Sequence, residues 1–153
     1  MNEYIITNIG MIVAIIISII LLIGMFKQSN KTYKDKTTKP WGEEEVLYNE
    51  ELVDIYDDDV FSNSAKVKIL RIKANQSLSK QYHNFKREML VCLKGHGGFE
   101  MNGITKTYQR GFNIFVDIRD IHKIIACSDS KFIELSYGND SDIIRVEDEY
   151  GRK

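Results

Sequence analysis

The sequence predicts an all-β domain, and a double-sheet jelly roll accommodates every strand-like run in it. Three observations carry this. Short β-branched and apolar runs recur between polar turns. The chain holds a single proline and no convincing amphipathic helix. Asn102-Gly103 separates two strand-like runs, the strongest short-range hairpin signal in the chain.

Taken in order, Val46-Leu47-Tyr48 and Leu52-Val53-Asp54-Ile55-Tyr56 read as short strands inside an acidic stretch. Nine Asp and Glu and no Lys or Arg lie between Gly42 and Val60, a composition that reads as a solvated face. Lys66-Val67-Lys68-Ile69-Leu70-Arg71-Ile72-Lys73 and Met89-Leu90-Val91-Cys92-Leu93 are the clearest strands, and Phe99 to Lys106 forms the hairpin. A further strand-like stretch runs from Ile114-Phe115-Val116 through Ile124-Ile125. Residues 61–153 carry sixteen Lys and Arg against eleven Asp and Glu. That mild excess suits an anionic small molecule, but no basic, aromatic-interleaved strip suggests nucleic acid. The chain has no repeat, P-loop, GxSxG or dinucleotide fingerprint.

The segment Gln81-Tyr82-His83-Asn84-Phe85-Lys86-Arg87-Glu88, answered later by His122, places two imidazoles, a carboxylate and a carboxamide where they can meet. On an extended chain Gln81 and His83, two apart, project to the same side. Glu88 opens the next strand after the corner at 84–87, so its carboxylate can return to that face. A lone histidine near a sheet is more often a core or surface residue, and His96, in Lys94-Gly95-His96-Gly97-Gly98, reads as an exposed turn. The joint pattern is stronger, flanked as it is by Gly95 and Gly111. Nitrogen and oxygen donors without thiolate suit zinc, manganese, iron or nickel; donor type does not choose among them, and zinc is the ion expected.

Asn75-x5-Gln81-x-His83-x4-Glu88-x6-Gly95, followed by Gly111-x10-His122, resembles the two cupin motifs. The wider chain resembles the cupin domain of type II mannose-6-phosphate isomerases, often fused to mannose-1-phosphate guanylyltransferase. The pieces that carry this are Lys39-Pro40-Trp41-Gly42, Leu78-Ser79-Lys80-Gln81-Tyr82-His83, Ile133-Glu134-Leu135 and the closing run from Asp142 to Arg152. The resemblance implies a cupin double-stranded β-helix over residues 39–153. Asn75 stands where the family has a glycine, Asp117 and Arg119 stand for its usual Pro and Gly, and Ala126 for its Asn. Lys86 stands where the family has an Arg, a point charge in place of a planar fork, and the stretch from Gly138 to Asp142 is shorter than usual. Arg87 is the candidate to stand in for that fork. The nucleotidyltransferase half of the fused relatives is absent from this sequence.

The amino end is a separate element. Residues 4–26 carry no charge, and at 1.5 Å per residue they span roughly 34 Å as a helix, enough to cross a hydrocarbon core. A signal peptide fits less well, because the stretch is long, Glu3 replaces the basic flank and no small-x-small cleavage site follows. The next segment, 27–38, is a basic tether. Its lysines against Glu3 on the amino side orient a single-pass anchor with the domain in the cytosol. Cys92 and Cys127 form no CxxC and read as reduced thiols.

These readings converge on a membrane-anchored metal cupin that interconverts an aldose and a ketose phosphate, such as mannose 6-phosphate and fructose 6-phosphate, in sugar-nucleotide or polysaccharide biosynthesis. The chemistry needs an electrophile on the substrate oxygens and a base. A divalent ion on Gln81, His83, Glu88 and His122 supplies the first. Lys86, Arg87 or Lys123 neutralises phosphate or enediolate, and no base is named by the sequence. The alternatives are a non-catalytic sugar-binding or scaffold cupin, and a metal-dependent dioxygenase, against which Gln81 counts. The expected partners are a sugar phosphate and the membrane, with a homodimer as a further option.

Overall fold

The computed structural model describes residues 35–56, 59–139 and 141–152. The membrane segment expected at 4–26 and the tether up to residue 34 lie outside them. The described residues are all-β. They contain no helix, and so none long and apolar enough to cross a membrane.

Among the described residues, eleven strands form two antiparallel sheets. One has the order β1 (Asp35–Lys39), β2 (Gly42–Tyr56), β3 (Asp59–Ile72), β10 (Ser130–Gly138), β5 (Arg87–Lys94), β8 (Asn113–Val116). The other runs β11 (Ile144–Glu147), β4 (Lys80–Tyr82), β9 (His122–Ala126), β6 (Gly97–Met101), β7 (Ile104–Tyr108). β1 begins at Asp35, ahead of the domain start expected at residue 39, and pairs with the first residues of β2. Asn102 and Gly103 close the β6–β7 hairpin with φ of 50° and 80°. Two consecutive positive φ values are what a type I′ turn demands.

Two expectations of strand layout change. The short strands at 46–48 and 52–56 are parts of one 15-residue strand, β2, which pairs with β3 throughout and absorbs one irregularity between Val46 and Tyr48. The continuous partner, more than the acidic composition, decides the length of β2. The stretch expected from Ile114 to Ile125 divides into β8 and β9, which belong to different sheets. The chain changes sheet at a corner where Arg119 takes φ 67°.

Alternation sets the interior. β3 turns Lys68, Leu70 and Ile72 inward, β10 Ser136, Glu134, Phe132 and Ser130, and β5 Glu88, Leu90 and Cys92. Across these strands Phe132 lies beside Leu70 and Cys92, whereas Glu134 lies beside Lys68 and Ser136 beside Glu88. The interior therefore has an apolar end and a polar end. Trp41, Phe99, Tyr108, Val116, Ile124 and Ala126 complete the apolar end, where Tyr108 meets Phe132 edge-on with ring centroids 5.0 Å apart.

Candidate metal centre

His83 follows β4 directly, Lys86 and Glu88 straddle the start of β5, and His122 is the first residue of β9. Gln81 of β4 lies opposite His122 in register. Single side-chain donors of His83, Glu88 and His122 lie within 4.8 Å of one another, and all three residues are buried. His83 Nε2 is 3.3 Å from Glu88 Oε1, and His122 Nε2 is 3.4 Å from Glu88 Oε2.

Both rings are aimed from behind. His83 Nδ1 donates to the Asp142 carbonyl, and His122 Nδ1 donates to the Asp120 carbonyl at 2.9 Å. A carbonyl only accepts, so each Nδ1 carries the proton and each Nε2 is left to face Glu88. Backbone partners of this kind orient metal-bound histidines. His83 Nε2 is buried, has no hydrogen-bond partner and lies close to Glu88 without hydrogen-bond geometry. An orphaned buried nitrogen pointed at a carboxylate fits a cation between them. Burial alone would raise the pKa of Glu88, but the Lys86 ammonium and the two imidazoles hold it well below the usual carboxylate range. Burial is the largest single influence on His122 and works against its charged form, yet the Glu88 carboxylate, the Asp120 carbonyl and Glu134 together outweigh it and raise its pKa.

The loops that hold these groups contain the departures noted in the sequence. Asn75 adopts φ 59° and Arg119 φ 67°, so both keep the left-handed backbone that a glycine would supply. The Arg119 amide donates to the His83 carbonyl at 2.7 Å. Asn102 accepts from the Ile121 amide at 3.0 Å and donates to Asp120 at 2.8 Å, which ties the hairpin turn to the approach to His122. Gly138 sits at φ 128° against the 85–86 corner, where an added Cβ would lie 2.7 Å from Lys86 Cα. The short stretch between Gly138 and Asp142 delivers the carbonyl that His83 uses and a carboxylate that accepts from the Phe85 amide.

Of the candidate ligands, the structure brings His83, Glu88 and His122 together. Gln81 lines the adjoining cavity with Glu88, and its Oε1 accepts from Ser79 Oγ at 2.6 Å. Of the candidate cations, Lys86 is at the centre: its Nζ lies 2.7 Å from Glu88 and 3.1 Å from Glu134. Arg87 is not brought there; it faces outward and pairs with Asp117 at 2.8 Å. Lys123 pairs with Glu149 at 2.7 Å. His96 is exposed, as read from its turn.

Sequence reasoning passed over the rest of the cavity wall. Glu134 accepts from Lys86 and lies 3.7 Å from Lys68, whose Nζ also lies 3.8 Å from Glu44. Arg145 and Arg152 line the same space. The available signal was period two: Glu134 alternates with Phe132, and Lys68 with Leu70, so each belongs to an inward-facing set. Glu44 was assigned to a solvated face, but it lines the cavity.

Two sheets rolled around an interior with a His–Glu–His cluster at its polar end define a cupin. The chain belongs to the family "Mannose-6-phosphate isomerase C-terminal", whose profile matches residues 27–148. No curated protein sequence matches it. Among solved structures it is similar to an RmlC-like cupin from Shewanella frigidimarina, at 12% identity, TM-score 0.56 and coverage of 71% of this chain and 87% of that one. KdgF from Halomonas sp. is similar at 14% identity, TM-score 0.54 and coverage of 71% and 91%. A protein from Planctomyces limnophilus is similar at 18% identity, TM-score 0.50 and coverage of 72% and 88%. At these identities the likeness is one of fold.

Proposed function

We propose that this chain is a membrane-tethered, metal-dependent sugar-phosphate isomerase of the mannose-6-phosphate type, with its domain on the cytosolic side. The observation that carries the catalytic part is the orphaned His83 Nε2, directed with His122 at Glu88 on the edge of a cavity lined by basic side chains. His83, Glu88 and His122 would hold a divalent transition ion, zinc being the one expected, and Gln81 would turn its carboxamide from Ser79 to complete the set. The ion supplies an electrophile for the carbonyl and hydroxyl oxygens of the substrate.

The chain's own residues do the remainder. Lys39, Lys68, Lys86, Arg145 and Arg152 outnumber Glu44, Glu88 and Glu134 on the cavity wall, which favours an anionic ligand. Glu44 and Glu134 are the wall carboxylates outside the His–Glu–His cluster, and Glu134, which shares the Lys86 ammonium with Glu88, is the one placed to take and return the proton that moves between adjacent carbons. Lys68 and Lys86 hold that carboxylate in position. The cavity is about 80 Å³, smaller than the 300 Å³ at which typical ligand pockets begin. A hexose phosphate would therefore insert one end and leave the other at the mouth.

One observation favours a second reading, a non-catalytic sugar-binding cupin. The Lys86 ammonium already contacts the carboxylate that a metal would need. Metal analysis of the purified full chain, followed by a coupled assay interconverting mannose 6-phosphate and fructose 6-phosphate, separates the two. The isomerase binds about one transition ion per chain, loses it in His83→Ala/His122→Ala, and turns over only when loaded. A loaded chain with no turnover above free metal is the binding module. Carbonate extraction and protease protection test the anchor and its orientation.

A further inference from the structure

A second cavity, of about 310 Å³, opens where β3 and β5 end and β2 and β10 begin. Typical ligand pockets begin at about this size. Its charged wall residues are Glu43, Arg71, Lys73, Lys94, Asp129 and Lys131. It is remote from the metal centre, since Lys94 closes the strand that Glu88 opens, about 20 Å away at 3.4 Å per residue. Between the two, along β5 and β10, come Leu90, Cys92 and Phe132 of the apolar cluster.

Strand register sets these charges against one another. Glu43 lies opposite Arg71, Arg71 opposite Lys131, and Lys131 opposite Lys94, so one row across four strands carries an acid followed by three bases. Side chains directly opposite stand about 5 Å apart at Cβ, where like charges destabilise a sheet. The nearby acids are already engaged. Glu43 pairs with Lys36 at 2.8 Å, Glu45 with Arg71 Nη2 at 2.5 Å, and Asp129 accepts from the Ala74 amide at 2.9 Å. Arg71 keeps a second nitrogen, Nη1, that is buried and donates to nothing. Among the described residues, Lys73, Lys94 and Lys131 make no ion pair. Four bases on the wall face two acids, and the flanking Lys36 and Glu45 cancel, which leaves two positive charges over.

We propose that this end of the sheet is a second ligand site, which takes a phosphate monoester. Such a group carries close to two negative charges at neutral pH and so balances the excess, whereas a carboxylate would leave half of it. Lysine binds phosphate as a point charge and needs no planar partner, which suits Lys73, Lys94 and Lys131 converging from three segments. The anion also relieves the repulsion between Lys131 and Lys94. Ile72 and the lysine stems give the remainder of the ligand an apolar wall. A soluble phosphorylated compound and the headgroup of a phosphatidic acid share this chemistry, and the experiment separates them.

The test acetylates the lysines of the full chain in uncharged detergent and reads each one by mass spectrometry, with inorganic phosphate or with acetate at equal ionic strength. Phosphate should lower labelling of Lys73, Lys94 and Lys131 several-fold and leave Lys106, exposed on β7 of the other sheet, unchanged. Acetate should protect none of them. Lys94→Gln with Lys131→Gln should abolish the protection of Lys73, and His83→Ala/His122→Ala should retain it. In phosphatidylcholine vesicles that contain phosphatidic acid, protection without added phosphate assigns the site to a headgroup; protection only when phosphate is added assigns it to a soluble ligand. The site is overturned by any of four results: no protection, equal protection of Lys106, equal protection by acetate, or protection of Lys73 that survives the double glutamine substitution. Loss of protection in His83→Ala/His122→Ala would place the phosphate at the metal centre and overturn it too.

Discussion

Lys68 and Leu70 stand on one face of one strand, two residues apart, yet they lie in different media; so do Glu134 and Phe132, and Glu88 and Leu90. Leu70, Phe132 and Leu90 pack into a cluster sealed by Trp41 and Phe99. Lys68, Glu134 and Glu88 form, with Lys86, a nearly dry ionic cluster. The backbone does not distinguish the two ends, since the same three strands run through both. What distinguishes them is the cost of desolvation. The apolar end gains free energy as it leaves water, and the polar end loses it and recovers part through pairing. The apolar end therefore holds the fold together, and the polar end is retained for what it does to a ligand.

The comparison breaks first at Phe132. Phe132→Ala should cost about 3–5 kcal/mol by opening a cavity among Leu70, Cys92 and Tyr108, read as a lowered midpoint in urea. A loss below about 1 kcal/mol would mean that the apolar end does not carry stability. At the polar end, Lys86→Met alone should cost about 3 kcal/mol, because it leaves Glu88 and Glu134 without their nearest ammonium. Adding Glu88→Leu should recover most of that while abolishing metal uptake, so that stability and ligation respond in opposite directions. If the double substitution is less stable than Lys86→Met, the ionic cluster is holding the fold after all.

Smaller effects sharpen the boundary. Gly138→Ala should cost more than about 1 kcal/mol and loosen metal uptake as well, since a side chain at positive φ there pushes on the 85–86 corner. At the outer rim, hydrogen bonds from Arg152 lower the pKa of Asp148. Its folded pKa lies below its unfolded value, so its contribution is present above the ordinary Asp range and is lost as pH falls through the folded value. Arg152→Gln should shrink the acid-side fall by lowering the midpoint at neutral pH slightly while leaving the acid value unchanged.

Much of the polar end was legible because its ligands come as a spaced set. Gln81 on β4, His83 just after it and Glu88 on β5 are joined by one corner, so period two predicts their convergence, and His122 answers from β9, the neighbour of β4 in the same sheet. Lys68, Glu44 and Glu134 were not legible as a group, because each comes from a different strand and meets the others only through sheet order, which residue spacing does not encode. Arg87 shows the converse. It adjoins Glu88 in sequence, and for that reason alternation sends it to the opposite face. The departures at Asn75 and Arg119 read as losses of glycine, yet the backbone at both keeps the glycine conformation. A pattern of residue identities records such a change, but a pattern of dihedral angles does not.

The carbonyl of Asp142 behind His83 has a further consequence. The imidazole proton it accepts is sealed from bulk water, because His83 has no exposed surface. Such a proton exchanges slowly with solvent, and His83 becomes a built-in nuclear magnetic resonance probe. A sharp, downfield imidazole NH line should persist in the native chain, shift when an ion occupies Nε2, and vanish in His83→Gln. The cluster could then be followed in solution without a substrate.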